Sequence, residues 1–234
     1  NQGGVFESRN GVNSFIQPMN AGGEYGLGYK RFEADDKIVI VASTYYSRSD
    51  HSGLKALQST LENITLDELS ALISEHAKHW SKQYSNSFFK IPDSTLQAFY
   101  DMQTYKLASA LRKDGPAMDL QGPWTAHTPW PGYWWNLNIK LAYSPLYTIN
   151  RLDLASTLVD LLEKNKANLI ANVPERYRSD SAAIGRTSGQ DLKRAVPLTI
   201  DTVSSFVADQ NTVEVATAEL GNLTWALYYY YLHY

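Results

Sequence analysis

Residues 119–147 read DLQGPWTAHTPWPGYWWNLNIKLAYSPLY, and this stretch holds four of the six tryptophans in the chain. Asn136 and Asn138 follow directly behind a Trp pair. Indole rings offer a flat apolar face that suits the C–H face of a sugar, and asparagine amides both donate and accept hydrogen bonds. The alternative is that the aromatic side chains fill a helical core, because Trp is highly buried on average. Their clustering favours a sugar-binding cleft.

The composition limits the class of protein. The chain has 234 residues and a formal net charge of -3, without the basic surface that nucleic acid requires, so we expect no nucleic-acid partner. It has no cysteine, which excludes disulfides and thiolate metal sites. No apolar run approaches the roughly 20 residues that cross a bilayer, so we expect no membrane span.

The N-terminal residues predict a β segment. Short β-type runs occur at residues 4–6, 14–17 and 29–33, and a longer strand, KIVIVASTYY, covers residues 37–46. Gly, Asn and Asp turn signals separate these runs. We therefore assign residues 1–60 to a β segment and linker.

From Thr65 the apolar residues follow a helical period. Thr65 and Glu68 form a capping-box pattern that predicts a helix to about Tyr84, and Asp93 or Ser94 caps a second helix. Further helices are predicted near residues 138–147, 153–173 and 198–208, and a last one begins around 217–222, with Pro145 ending or kinking the first of these. Residues 61–234 are thus predicted to form helical hairpins of an α/α barrel, and the fold class to be mainly α.

Several segments occur in an order that resembles a known family. They are EHAKHW (75–80), FYDMQTYKLASAL (99–111), DLQGPW (119–124), PGYWWNLNIKLAYSPLY (131–147) and NLTWALYYYYLHY (222–234). Together they resemble glycoside hydrolase family 95, which is known chiefly for α-L-fucosidases, with some α-L-galactosidase activity, acting with inversion on an (α/α)6 barrel. Residues 119–124 are similar to the family's LQGxW motif, and residues 134–145 to its HxNINxxMNYWP motif. The resemblance implies that the residues before Thr65 end an N-terminal β-sandwich and linker.

The resemblance also implies roles for individual residues. Asn136 and Asn138 would orient the attacking water together with an Asp general base, while a Glu general acid protonates the leaving oxygen. Both carboxylates are expected beyond Tyr234, so that the chain would hold the first half of the barrel. An oligosaccharide or glycan would be the substrate. The residues predicted to bind it are Trp124, Trp130, Trp134, Trp135, His127 and Gln121.

The chain departs from the family pattern at three positions. Trp134 stands where the family has a sugar-binding His, and Ala142 and Ser144 replace the usual Asn and Trp. These differences indicate a distant member whose sugar specificity is open. Two alternatives remain at this point: the Asn-Leu-Asn sequence caps a helix, or the chain is a non-catalytic carbohydrate-binding or inactive segment.

The remaining predictions concern cofactors, location and assembly. His76 and His79 lack the surrounding ligands of a metal site, so we predict neither metal nor cofactor. Bacterial members of the family are commonly exported, so the resemblance implies a periplasmic or secreted protein. The aromatic C-terminal helix, with Leu227, Tyr228, Tyr230 and Tyr231, predicts self-association through an apolar patch.

Overall fold

A computed structural model of the protein describes residues 3–20, 22–34, 36–47, 52–86, 89–124, 132–193 and 221–234. Of the described residues, about 50% are helical and 20% lie in strands. The fold class is therefore mixed α and β. Our prediction of a mainly α fold, part of an (α/α)6 barrel after a short β segment, was wrong. The strands are longer than the sequence pattern indicates and pair into a complete sheet.

The chain divides into two compact units, Asn1–Lys82 and Gln83–Tyr234. The sequence pattern had placed the division after residue 60. The first helix after the sheet packs on that sheet, and most of the second helix also belongs to the first unit.

The first unit contains an antiparallel sheet in the order of the chain. Its strands are β1 (Val5–Arg9), β2 (Val12–Pro18), β3 (Glu24–Ala34) and β4 (Lys37–Ser47). The turn between β1 and β2 has the sequence Asn10-Gly11, which is the strongest short signal for a hairpin. All four predicted β runs are confirmed, although β3 begins five residues before the run that predicted it.

One helix, α1 (Ser52–Asn63), covers one face of this sheet. Leu57 and Leu61 are buried with Val12 of β2, and Val41 and Tyr45 of β4 pack around them. The Lys30 ammonium group donates hydrogen bonds to the backbone carbonyls of Glu62 (2.8 Å) and Ile64 (3.1 Å) at the end of the helix. The buried leucines and the hydrogen bonds at the C-terminal end of α1 therefore fix it on the sheet.

The next helix, α2 (Leu66–Asn86), begins with the predicted capping box. The Glu68 carboxylate accepts hydrogen bonds from the backbone N–H of Thr65 (2.8 Å) and from its hydroxyl (3.0 Å). The Glu68 backbone N–H donates to the Thr65 hydroxyl oxygen at 3.4 Å. These bonds satisfy N–H groups that have no partner within the helix, so the predicted start is confirmed.

The second unit is built from short helices and a two-stranded ribbon. Its elements are α3 (Ser94–Ala110), β5 (Tyr133–Trp134), α4 (Asn138–Thr148), α5 (Leu152–Lys164), α6 (Lys166–Ala171), β6 (Thr187–Ser188) and α7 (Asn222–His233). Asp93 caps α3 as predicted. Pro145 lies inside α4, which continues to Thr148, and the predicted helix 153–173 is interrupted at Asn165. The helix predicted near 198–208 lies outside the described residues.

The core of this unit lies where α4, α5 and α7 pack together. Its centre is formed by Trp135, Ile139, Tyr143, Leu146, Leu154, Leu158, Ala226 and Tyr229. The spacing 139, 143, 146 puts three of these side chains on one face of α4. None of the helices in the described part of the chain combines the length and apolar character that a membrane crossing requires.

Three asparagines, which we call the asparagine ladder, attach α6 to the loop that carries β6. Asn165 donates to the carbonyl of Gln190 (3.2 Å), and Asn168 donates to that of Asp191 (2.9 Å). Asn172 donates to the carbonyls of Ala183 (3.0 Å) and Leu192 (2.8 Å). Residues three and four apart lie on one face of a helix, so the three amides follow the loop side by side.

Candidate functional site

The DLQGPW segment forms a tight loop around the carboxylate of Asp119. Its Oδ1 accepts hydrogen bonds from the backbone N–H groups of Gln121 (3.1 Å) and Gly122 (2.7 Å). The side-chain amide of Gln121 donates to the carbonyl of Trp124 at 2.5 Å. Gln121, predicted to bind substrate, therefore also holds its own loop. The sequence interpretation gave no role to Asp119, although an Asp that precedes a Gly by three residues is a known turn signal.

A cleft of about 530 Å³ lies beside this loop. It is bounded by α3, residues 118–124 and α4, and both Gln121 and Trp124 contribute to its wall. Trp124 is 47% exposed, so its ring is accessible to a ligand. The apolar wall includes Phe99, Leu107, Met118, Leu120, Leu141 and Ile149, and the polar groups come from Tyr100, Gln103, Thr104, Lys106 and Gln121. No Asp or Glu is among the described residues of this wall.

Two buried tyrosines fix the segment that enters the loop. The Tyr133 hydroxyl donates to the carbonyl of Ala117 at 2.8 Å, and the Tyr143 hydroxyl accepts from the N–H of Met118 at 2.8 Å. The Thr157 hydroxyl donates to the carbonyl of Leu154, so Tyr143 must be the donor in its own bond to Thr157. The cleft wall is thus anchored in the core of the unit.

Burial keeps both phenols protonated. It raises the pKa of Tyr143 to about 12, although the bonds to Thr157 and Met118 act in the opposite direction. Burial, followed by the neighbouring Tyr143, also raises the pKa of Tyr133. Neither hydroxyl can serve as a base near neutral pH, so their contribution is structural.

The tryptophan pair has two different environments. Trp135 is 0% exposed and stacks on Tyr133, with ring centroids 5.9 Å apart. Its ring N–H donates to the Ser188 hydroxyl at 2.8 Å, and its backbone N–H donates to the carbonyl of Arg186. Trp135 therefore has no surface left for a ligand in this conformation. Trp134 is partly exposed and pairs with Thr187 in the β5–β6 ribbon.

The side-chain oxygen of Asn136 is buried but accepts no hydrogen bond from the described residues. Leaving a buried polar atom without a hydrogen-bond partner costs about 1–3 kcal/mol, so the great majority of such atoms in native proteins are bonded. The N-cap of α4 is Leu137, which makes no side-chain capping bond. The Asn136 oxygen does not cap the helix, which was the simplest structural alternative.

Asn138 begins α4 on the face that borders the cleft. Leu141, Ala142 and Pro145 of that helix contribute to the cleft wall. They lie three, four and seven residues after Asn138, and this spacing places all four on one side of a helix. The Asn138 side chain is half-buried, one turn beyond the cleft-lining residues. Asn138 itself is not among the residues that line the cleft, and neither is Asn136, which precedes the helix by two residues.

The sequence interpretation did not single out Lys140, which is fully buried beside this region. Only 1% of its surface is exposed, and its ammonium group lies 4.2 Å from the centre of the Trp225 ring on α7. A cation over an aromatic face is stabilised by the ring quadrupole. Its position next to Ile139 and three before Tyr143, both in the core, was a signal of burial. The contact connects the start of α4 to α7.

Two predicted substrate-binding residues, His127 and Trp130, lie outside the described residues. Among the residues that the structure does describe, no group of three or more His, Asp or Glu side chains is arranged to hold a metal ion. The polar groups that the described residues bring to the cleft wall are amides, hydroxyls and the Lys106 ammonium group.

The chain matches no protein-family model, and no curated protein is significantly similar to it in sequence. The resemblance to glycoside hydrolase family 95 therefore rests on the segments quoted above. A fold does not by itself establish an activity, which depends on the chemistry of the site.

Proposed function

We propose that this chain supplies the sugar-binding part of an inverting glycoside hydrolase that resembles family 95. The observation that carries the proposal is the cleft in which Gln121 and Trp124 of the first motif meet Ala142 and Pro145 of the second. Motif residues that are separate in the sequence border one concave region. The proposed substrates are glycans with terminal α-linked L-fucose or L-galactose-type sugars, as the resemblance implies.

The size and chemistry of the cleft suit a sugar. Its volume of about 530 Å³ falls in the usual range for small-molecule sites, roughly 300–1,000 Å³. The exposed indole of Trp124 offers an apolar face, and Gln103, Thr104 and Gln121 offer hydrogen-bonding groups. Deoxy sugars such as fucose combine an apolar methyl group with hydroxyls, so a wall that mixes both kinds of surface is appropriate.

The two amides are proposed to act on the attacking water. An enclosed water molecule that donates to Asn136 Oδ1 would satisfy this buried acceptor. An inverting hydrolase places its two carboxyl groups roughly 6.5–9.5 Å apart so that a water fits between base and anomeric carbon. Amides can orient that water without adding a charge that would raise the pKa of the base. The acid and base would come from residues outside the described cleft wall.

The first prediction is that Asn136→Ala and Asn138→Ala each lower kcat about 100-fold or more in the full-length protein. The physical reason is that a water without its orienting acceptors rarely adopts the reactive geometry. Asn136 Oδ1 makes no hydrogen bond to the described residues, so its removal should leave the melting temperature nearly unchanged. The measurement is release of free monosaccharide from aryl α-L-fucosides and α-L-galactosides.

Asn86→Ala is the matched control for this experiment. Asn86 is an exposed asparagine at the end of α2, and its loss should change neither kcat nor stability. Wild-type kcat in both Asn136→Ala and Asn138→Ala would contradict the catalytic role of the amides. A parallel loss of kcat and melting temperature would indicate a structural role.

A second candidate is a protein that binds carbohydrate without hydrolysing it. The observation in its favour is that the described wall of the cleft includes no carboxylate. Titration calorimetry with α-L-fucosides, run beside the hydrolysis assay on the same full-length protein, separates the candidates. Binding without release of monosaccharide favours this second function, and release favours the hydrolase.

A further inference from the structure

We infer that Asp119 is a positioning residue that holds Trp124 in the wall of the cleft. One carboxylate oxygen of Asp119 accepts hydrogen bonds from two successive backbone N–H groups, those of Gln121 and Gly122. Hydrogen bonds to a charged acceptor are about twice as strong as those between neutral groups. The turn before Trp124 is therefore set by one side chain.

The backbone at Gly122 has a conformation that requires this support. Its φ angle is +63°, in the left-handed region that side chains other than glycine rarely adopt. A Cβ atom at this position would lie 3.3 Å from the Met118 side chain and 3.5 Å from the Trp124 ring nitrogen. The indole edge of Trp124 thus rests against the turn that Asp119 holds.

A second bond extends the support to Trp124 itself. The Gln121 amide donates to the Trp124 carbonyl at 2.5 Å, and the backbone N–H of Leu120 donates to the carbonyl of Gly132 at 3.2 Å. Asp119 therefore acts through Gln121 and Gly122 on the aromatic surface. Asp119 is not among the residues that line the cleft, so it acts on a ligand only through the cleft-wall residues that it positions, Gln121 and Trp124.

Fluorine NMR of protein labelled with fluorotryptophan tests the inference directly. The resonance that is present in the wild type and missing from the spectrum of Trp124→Phe belongs to Trp124. In Asp119→Asn the side-chain oxygen remains as an acceptor, so this resonance should keep its shift and width. In Asp119→Ala it should shift or broaden, because the turn loses both bonds. An unchanged Trp124 resonance in Asp119→Ala would overturn the inference.

Asp93→Ala provides a matched control. Asp93 also accepts from two successive backbone N–H groups, those of Thr95 (2.8 Å) and Leu96 (3.0 Å), at the start of α3. Its removal should cost comparable stability and leave the Trp124 resonance in place. If Asp93→Ala disturbs that resonance as much as Asp119→Ala does, general destabilisation accounts for the effect and the inference is rejected.

The ligand measurement rests on the proposed function and is kept separate from the NMR test. Where the wild type binds an aryl α-L-fucoside, Asp119→Ala should weaken binding about tenfold and Asp119→Asn by less than about threefold. Unchanged affinity in Asp119→Ala would show that Trp124 does not need this support for ligand binding, against the inference. If the wild type binds no sugar, the proposed function fails, while the Trp124 resonance still decides the role of Asp119.

Discussion

At the scale of single residues, the hydrogen-bond partners of buried polar groups separate structural side chains from candidate functional ones. The ring N–H of Trp135 donates to the Ser188 hydroxyl. The Tyr143 hydroxyl accepts from the N–H of Met118 and donates to the Thr157 hydroxyl. Asn136 Oδ1 has no such partner among the described residues. Within one aromatic stretch, therefore, some polar groups are bonded inside the unit and one buried acceptor is not.

Arg151 and Asp153 give a residue-scale prediction about pH. The Arg151 side chain is buried and contacts both carboxylate oxygens of Asp153, at 3.0 and 3.1 Å. Burial acts to raise the pKa of Asp153, but the hydrogen bond and charge of Arg151 outweigh it and hold the pKa below its usual range. Such a carboxylate stabilises the fold above its unfolded pKa, and the contribution is lost as pH falls through the folded pKa.

We therefore expect Asp153→Asn to be less stable than the wild type at pH 7, by about 1 kcal/mol because Asp153 is partly exposed to solvent. The difference should begin to shrink near the unfolded pKa of about 3.9 and vanish once the pH falls below the lowered pKa of the folded carboxyl. Urea unfolding across this pH range measures it. A difference that stays constant with pH would contradict the assignment of the lowered pKa to this pair.

The sequence could indicate the chemistry of the site but not the role of each residue in it. Trp124 and Gln121 were predicted to bind substrate and line the cleft, whereas Trp135 was grouped with them and is fully buried. Nothing local distinguishes the two tryptophans, because the partner of Trp135 is Ser188, 53 residues away. Long-range contacts of this kind are not visible in a local pattern.

At the scale of elements, the capped starts of helices were the most predictable features, whereas α1, which lies mostly in the segment assigned to a linker, was not predicted. Thr65 with Glu68, and Asp93, begin their helices as expected because capping bonds are local. The break at Asn165 was missed because its side chain bonds the carbonyl of Gln190 as well as that of Leu161. The strand β3 was shortened in the prediction because Gly26 and Gly28 resemble turn residues.

Gly28 yields a prediction at this scale. A Cβ atom there would lie 2.3 Å from Leu57 and 3.0 Å from Leu61, the two buried leucines of α1. Gly28→Ala should therefore push α1 away from the sheet and destabilise the first unit by about 1–3 kcal/mol. Thermal unfolding followed by circular dichroism measures the change.

Gly3→Ala is the control for Gly28→Ala, since no atom lies within 4 Å of a Cβ at Gly3. It should leave the unfolding temperature unchanged. Equal effects of the two substitutions would show that the close approach of α1 to Gly28 does not limit stability.

At the scale of the whole molecule, the proportion of strand relative to helix was underestimated. The helical periods are long and continuous, whereas the strands are interrupted in sequence by Gly, Asn and Asp and look minor. Pairing turns them into an ordered sheet, in which β3 and β4 align over 11 residues each. The prediction of a mainly α chain failed because pairing between strands depends on contacts that a window of sequence does not contain.

Self-association through α7 remains a prediction for the whole molecule. Leu227, Tyr228 and Tyr231 are exposed, while the Tyr230 hydroxyl donates to the carboxylate of Glu163. Exposed apolar surface of this kind favours association. Sedimentation velocity should show a dimer or larger species at micromolar concentration, and Tyr228→Ser with Tyr231→Ser should reduce it.

The exposed face of the sheet offers a competing explanation for association. Ile38 and Ile40 of β4 are both more than half exposed. The double variant Ile38→Ser, Ile40→Ser is compared with the double variant Tyr228→Ser, Tyr231→Ser. If only the first of the two abolishes self-association, the prediction for α7 is contradicted.

The asparagine ladder has one further consequence. The bonds from Asn165, Asn168 and Asn172 to the loop 183–192 join side-chain amides to backbone carbonyls, and neither group carries a formal charge or titrates in the physiological range. Added salt weakens contacts between exposed charges but has little effect on bonds between neutral groups. The loop that holds Ser188 against Trp135 is thus attached to α6 in a way that ionic strength leaves unchanged.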